Sequence, residues 1–464
     1  MTLAPLLAAL LAAQPTPRTL RVDYVHGGDA ATEMFSLDRL VLEPLPFPGN
    51  PARPIDETNL GRYLFEVRDR ATNRLLYSRG FATIFGEWET TPEAKRVRRS
   101  FSESLRFPRP AGPVQVSVKK RDAENAFREV WTFTVDPADP AIDPSPPPSP
   151  GPLVELQRSG PPEQKLDLLI LGDGYTAKER DKFVADARKL TEALFQKSPF
   201  KERRKDFNVW GLCPPAQESG VSRPSSGVHR RSPLGAGYDA FGAERYVLTF
   251  ENRTWRDVAS YAPYDAVEIL VNGRTYGGGG IFNLYATAAA DSLWAPYVFV
   301  HELGHHLAGL ADEYFTSDPV YGPAPEERVE PWERNASATA DPAKLKWRAL
   351  VTAGTPLPTP WQEERFSREA RTFQEERKKL RQQGRPEEEI DRLFSAQKRA
   401  EEELLGKDRY GRAVGAFEGA NYEAKGYFRP QEDCVMFTRD DVPFCAVCRA
   451  TLDEVIDLYA GAPR

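Results

Sequence analysis

After Ala13 the chain contains no apolar run long enough to cross a bilayer. Hydrophobic residues make up 40% of its 464 residues, too few for a membrane protein and enough for ordinary globular cores. Neither sign of charge dominates: 62 basic side chains face 68 acidic ones, a net of -6. Without a basic excess there is no stripe to displace counterions from phosphate, which excludes a nucleic-acid binder. Cysteine and histidine are scarce, at four and five residues. Scarcity makes their placement informative. Three histidines fall at 301, 305 and 306, and three cysteines lie between 434 and 448.

Proline, in contrast, is abundant at 41 residues, and it marks the organisation. The length exceeds one usual core, so at least two domains are expected. Residues 19–136 contain period-two runs such as Arg21-Val22-Asp23-Tyr24-Val25, Tyr63-Leu64-Phe65-Glu66-Val67 and Val114-Gln115-Val116-Ser117-Val118. Such runs, bounded by Pro, Gly and Asn, predict an all-β sandwich domain. Residues 137–160 begin with a proline-dense stretch that favours extended polyproline backbone and reads as a linker. From 161 to 464 strands alternate with helices, which predicts an α/β domain. Within it, residues 361–407 are dense in Glu, Lys, Arg and Gln and are broken by Gly384-Arg385-Pro386. This predicts an inserted helical hairpin, read as a solvated structural insertion. Residues 1–18 open with MTLAPLLAALLAA. They are expected to be a signal peptide or a disordered N-terminus, and the first of these makes the protein exported (secreted, periplasmic or cell-surface).

Val298-Phe299-Val300-His301-Glu302-Leu303-Gly304-His305 is predicted to be helical. Residues four apart share one face of a helix, so His301 and His305 can present ring nitrogens to one metal. Glu302 lies beside them, placed to take a proton from water that zinc has acidified. H-E-x-x-H therefore has a complete rationale for Zn2+-dependent peptide hydrolysis, with Glu302 as general base. A catalytic zinc wants a third protein ligand and an open position. Gly309 can turn the chain back in a left-handed conformation, which makes Asp312 or Glu313 available. Asp312 is the expected ligand, with Glu313 supporting the fold or a contact behind the ligands, and His306 faces elsewhere with a structural role.

His301 to Tyr314, read as HELGHHLAGLADEY, resembles the signature of the M64 peptidases, the IgA peptidase family, within the metzincin-like zinc peptidases. Gly172-Asp173-Gly174-Tyr175-Thr176, Phe417 to Tyr422, Gly426 to Pro430, Asp433 to Met436 and Phe444 to Cys448 are similar to other segments of that family. The resemblance implies a metzincin-like catalytic domain behind an N-terminal β domain, zinc on His301 and His305, and Glu302 as base. It also implies that Met436 lies in a turn beneath the metal. In common metzincins the glycine and third ligand each come one residue earlier than Gly309 and Asp312. An edge strand before the metal helix pairs with extended substrate in metzincins, which singles out Gly278, Gly279 and Gly280 for binding a protein or peptide backbone. A flexible loop is the competing expectation for these glycines.

In an exported protein the expected state of the late cysteines is a disulfide from Cys434 to Cys445 or Cys448. A closed zinc site of cysteine type wants four ligands, and no histidine is nearby in sequence. Two other functions share the motif. One is a zinc amidase or carboxypeptidase acting on cell-wall peptides, and the other is a non-catalytic zinc-containing binding protein. The substrate, and any partner of the β domain, lie outside what the motif encodes.

Overall fold

The computed structural model describes residues 16–317 and 328–461. The apolar run expected to be a signal peptide, Met1 to Ala13, lies outside the described residues. Among the described residues no helix is long and apolar enough to cross a membrane.

The N-terminal domain is built from β1 (Arg18–Gly28), β2 (Glu33–Pro46), β3 (Tyr63–Asp69), β4 (Leu75–Phe81), a short helix α1 (Ile84–Trp88), β5 (Arg99–Pro108), β6 (Val114–Arg121) and β7 (Phe127–Val135). They form two antiparallel sheets, ordered β2-β1-β5 and β4-β3-β6-β7. Val114, Val116 and Val118 are buried while Gln115 is exposed, the period of two that a half-buried strand requires. They meet Leu20, Val22 and Tyr24 of the other sheet in one core. The only histidine here, His26, is buried and bonded to Glu103 and Glu33.

The second domain carries a six-stranded sheet of β8 (Val154–Gln157), β9 (Leu166–Asp173), β10 (Phe207–Leu212), β11 (Ala266–Val271), β12 (Gly278–Ile281) and β13 (Tyr285–Ala289). Its order is β12-β13-β11-β9-β10-β8. The four central strands are parallel, and β12 and β8 close the edges antiparallel. Every residue of β9, β10 and β11 is buried, as a parallel sheet covered on both faces demands. Helices α2 (Arg180–Leu194), α3 (Asn252–Ala259), α4 (Ala295–Ala308) and α7 (Ala446–Ala460) surround it, and a two-stranded ribbon of β14 (Phe417–Ala420) and β15 (Glu423–Arg429) follows the hairpin. The short antiparallel pair β12 and β13 turns at Asn283. Asn283 has a left-handed φ of 54° and donates its amide to the His306 carbonyl (2.8 Å).

Residues at the end of the proline-rich stretch pair as β8 with β10. The two domains pack directly on each other. Leu60, Phe85, Trp88 and Phe101 of the first belong to the core of the second. Ala82 N–H donates to the Phe282 carbonyl and the Asn283 side chain donates to the Gly80 carbonyl, both at 2.9 Å. The buried Arg21 and the half-buried Arg39 both pair with Asp257 across the junction.

The charged insertion forms α5 (Glu363–Gln382) and α6 (Glu387–Leu404) around Gly384, whose φ is 61°. It is not solvated all round. Phe366 stacks on Phe437 at 4.9 Å, and Phe394 meets Tyr276 edge-on at 5.0 Å. The hairpin therefore buttresses the region beneath α4 and β12, and the sparse apolar positions within the charge run do that packing.

Candidate active site

Helix α4 presents the motif. Pro296 in its first turn suits a position with no intrahelical N–H partner. Gly309 ends it in the left-handed conformation (φ 55°, ψ 41°). The chain then doubles back so that Asp312 returns over the helix. His301 Nε2 and His305 Nε2 stand 3.1 Å apart, and Asp312 Oδ1 lies 3.1 Å from the first and 3.3 Å from the second. Donor atoms about 2.0–2.1 Å from a tetrahedral ion stand about 3.3 Å apart, so this triangle fits a divalent metal. A carboxylate oxygen of Glu302 lies within 4.8 Å of both rings.

The ring orientations are set from behind. His301 Nδ1 lies 3.0 Å from the Val435 carbonyl and 3.1 Å from the Tyr297 hydroxyl. His305 Nδ1 lies 2.5 Å from the Leu310 carbonyl. A carbonyl can only accept, so each ring when neutral keeps its proton on Nδ1 and turns the Nε2 lone pair toward the triangle. Asp312 Oδ2 accepts from the Tyr422 hydroxyl. Asn421 N–H donates to the Asp312 carbonyl (2.9 Å), and Asn335 clamps the neighbouring Ala311 backbone on both sides (2.8 and 2.9 Å).

Charge follows the geometry. Burial works to raise the Asp312 carboxyl, but the facing His305 and His301 hold it well below the carboxylate range. Burial works to lower His305, and the Asp312 carboxylate reverses this, pushing it up to about 9. Burial pushes the Glu302 carboxyl up, and the two histidines only partly offset it. His306 points away from the triangle. It bridges the Val267 N–H and the Ile281 carbonyl, each at 3.0 Å, and burial lowers it to about 4.

The site opens into a cleft of about 610 Å³ lined by His301, Glu302, His305, Asp312, Tyr314 and the glycines of β12. Its other wall comes from the N-terminal domain, through Arg62, Glu87 and Asn125. The glycines form a strand, not a loop, at the sheet edge nearest α4. A Cβ on Gly278 would meet Val298 at 2.5 Å, and one on Gly280 would meet His305 Cβ at 2.9 Å. Their lack of side chains lets β12 lie against α4. Met436 sits in the turn 435–437, fully buried, with its sulfur 3.0 Å from where a Gly304 Cβ would be. It floors the helix from below.

Glu313 points away from the triangle, toward the late cysteines. The expected disulfide is not formed: none of the four cysteines is bridged, and the Cys434 and Cys448 sulfurs lie 4.0 Å apart with the Glu313 carboxylate held against Cys448. An S–S bond needs about 2.05 Å.

Sequence reasoning gave no role to Tyr297, Tyr422, Arg245 or Asn335. Tyr297 precedes His301 by four residues on one helix and was findable by spacing. The others come from distant segments, and Arg245 reaches the Tyr314 hydroxyl at 3.4 Å without any local pattern.

No curated protein matches the chain. The model of the family described as IgA Peptidase M64 matches residues 154–456, and that of the Peptidase M64 N-terminus matches residues 13–132. The chain therefore belongs to the M64 peptidases, a family of metallopeptidases, and membership implies a hydrolase acting on protein.

Proposed function

We propose that the chain is a zinc-dependent, metzincin-like endopeptidase in which His301, His305 and Asp312 hold the ion and Glu302 is the general base. The observation that carries this is the triangle of two Nε2 atoms and one carboxylate oxygen, 3.1–3.3 Å on each side, beside Glu302 in an open cleft. Zinc held there supplies a Lewis acid that polarises the scissile carbonyl and acidifies water. Glu302, raised by burial, accepts the proton of the attacking water and returns it to the leaving amine. The facing His305 and His301 keep Asp312 ionised, Tyr422 donates to its second oxygen, and the Val435 and Leu310 carbonyls keep both imidazoles in the ligating tautomer. The β12 edge and the wall from the N-terminal domain bracket a cleft able to admit an extended chain in its middle, which favours internal bonds.

The test is metal content with hydrolysis of unfolded casein, for wild type and Glu302→Gln. Zinc bound by both, with activity falling on the order of 10²–10⁴-fold in the variant, is the expected result. Equal activity in both proteins would remove Glu302 from the mechanism. A metal-free wild type would remove the metal.

A further inference from the structure

Glu313, Cys434, Cys445 and Cys448 each offer one donor atom, and all four atoms lie within 4.8 Å of one another. We propose that these residues form a second, closed zinc site that is structural and separate from the ion on α4.

The distances suit a tetrahedron. Thiolate sulfurs about 2.3 Å from zinc stand about 3.8 Å apart. Here Cys434 Sγ and Cys448 Sγ are 4.0 Å apart, and Glu313 Oε1 lies 3.6 Å from Cys445 Sγ and 3.1 Å from Cys448 Sγ. Glu313 is the fourth ligand that no nearby histidine supplies. All four residues are at most 2% exposed, so no position is open to substrate. Glu313 Oε2 is buried without a hydrogen-bond partner, an arrangement that is costly unless a cation shares the carboxylate.

Backbone N–H groups are aimed at two of the sulfurs, as suits thiolates on a cation. Cys434 Sγ faces the backbone N–H groups of Cys445 (3.2 Å) and Met436 (3.4 Å), and Cys445 Sγ faces that of Cys448 (3.4 Å). Cys445 caps the N-terminus of α7, where a negative sulfur is favoured. Three thiolates and one carboxylate around Zn2+ leave a charge of two negative units, and the buried Arg429 guanidinium lies within electrostatic reach of Glu313 and Cys434. Loading releases the thiol protons.

The position explains the use. Glu313 adjoins Asp312, and its N–H donates to the Met436 carbonyl (2.8 Å). Val435, whose carbonyl orients His301, lies next to Cys434. A closed site here ties together the segment carrying the third ligand, the Met436 turn and the start of α7.

The experiment uses the full chain expressed with zinc. Wild type is expected to hold two zinc ions and the His301→Ala/His305→Ala variant one. The cobalt-substituted histidine variant should show thiolate-to-cobalt charge-transfer absorption, which the α4 site, having no sulfur ligand, cannot give. Alkylation of the denatured, chelator-treated wild type should label all four cysteines. Absence of metal from a folded histidine variant would overturn the proposal, and so would a Cys434–Cys448 or Cys434–Cys445 disulfide in the alkylation map. One zinc in wild type with the thiolate signature supports this site and counts against the one on α4. One zinc lacking that signature does the reverse.

Discussion

Gly280 offers a direct test of what the glycine strand is for. A Cβ built there lies 2.9 Å from His305 Cβ and closer still to the Glu302 carbonyl oxygen. Restoring an ordinary 3.4 Å contact moves β12 and α4 apart by about half an ångström at His305, and by more at Glu302. The neighbours are helix backbone and a Cβ, not the tip of a flexible chain, so little of this is absorbed by rotamers. Overpacking of this kind costs about 1–3 kcal/mol. At about 2–4 °C per kcal/mol for a domain of this size, Gly280→Ala should melt several degrees lower. The same shift displaces His305 and Glu302, the proposed ligand and base, so kcat should fall on the order of 10- to 100-fold. Gly112→Ala is the control, because nothing lies within 4 Å of its Cβ and its φ is ordinary. Thermal melts and casein kinetics on the two variants and the wild type decide the matter. A Gly280→Ala protein with unchanged Tm and kcat but raised KM would contradict the packing role and assign the glycine to the approach of peptide backbone instead.

Two further outcomes follow from single contacts. Tyr422→Phe removes the hydroxyl that holds Asp312 Oδ2; zinc affinity measured by chelator competition should fall about 10- to 100-fold, and an unchanged affinity would deny Tyr422 that positioning role. In the N-terminal domain burial acts to lower His26, but Glu103 and Glu33 prevail and raise it. A raised folded value means the stabilisation is fully present below the unfolded pKa of about 6.5 and is lost as pH rises through the folded value. Denaturant melts should therefore show wild type exceeding His26→Gln by more at about pH 5.5 than at about pH 8.5, and a constant gap would mean that the folded and unfolded values of His26 coincide.

The sequence by itself determined the parts that rest on local periodicity. The alternation in 114–118 sets a strand, and the four-residue spacing of His301 and His305 sets two imidazoles on one helical face. Gly309 sets the left-handed exit, and Gly384 sets the break between the two charged helices, each at a φ near +60° that glycine adopts without strain. Tertiary structure decided whatever depends on residues far apart in sequence. It chose Asp312 over Glu313 for the triangle, because the turn at Gly309 and the clamp from Asn335 point consecutive carboxylates in opposite directions. It placed Tyr422 on Asp312 across 110 residues, and it brought the N-terminal domain to the rim of the cleft despite the proline-rich connection. It also gathered Cys434, Cys445 and Cys448 around Glu313, although C-x-x-C with one distant cysteine looks like a disulfide from sequence. Pattern along a chain encodes which face a side chain takes, and only packing fixes which distant side chain meets it there.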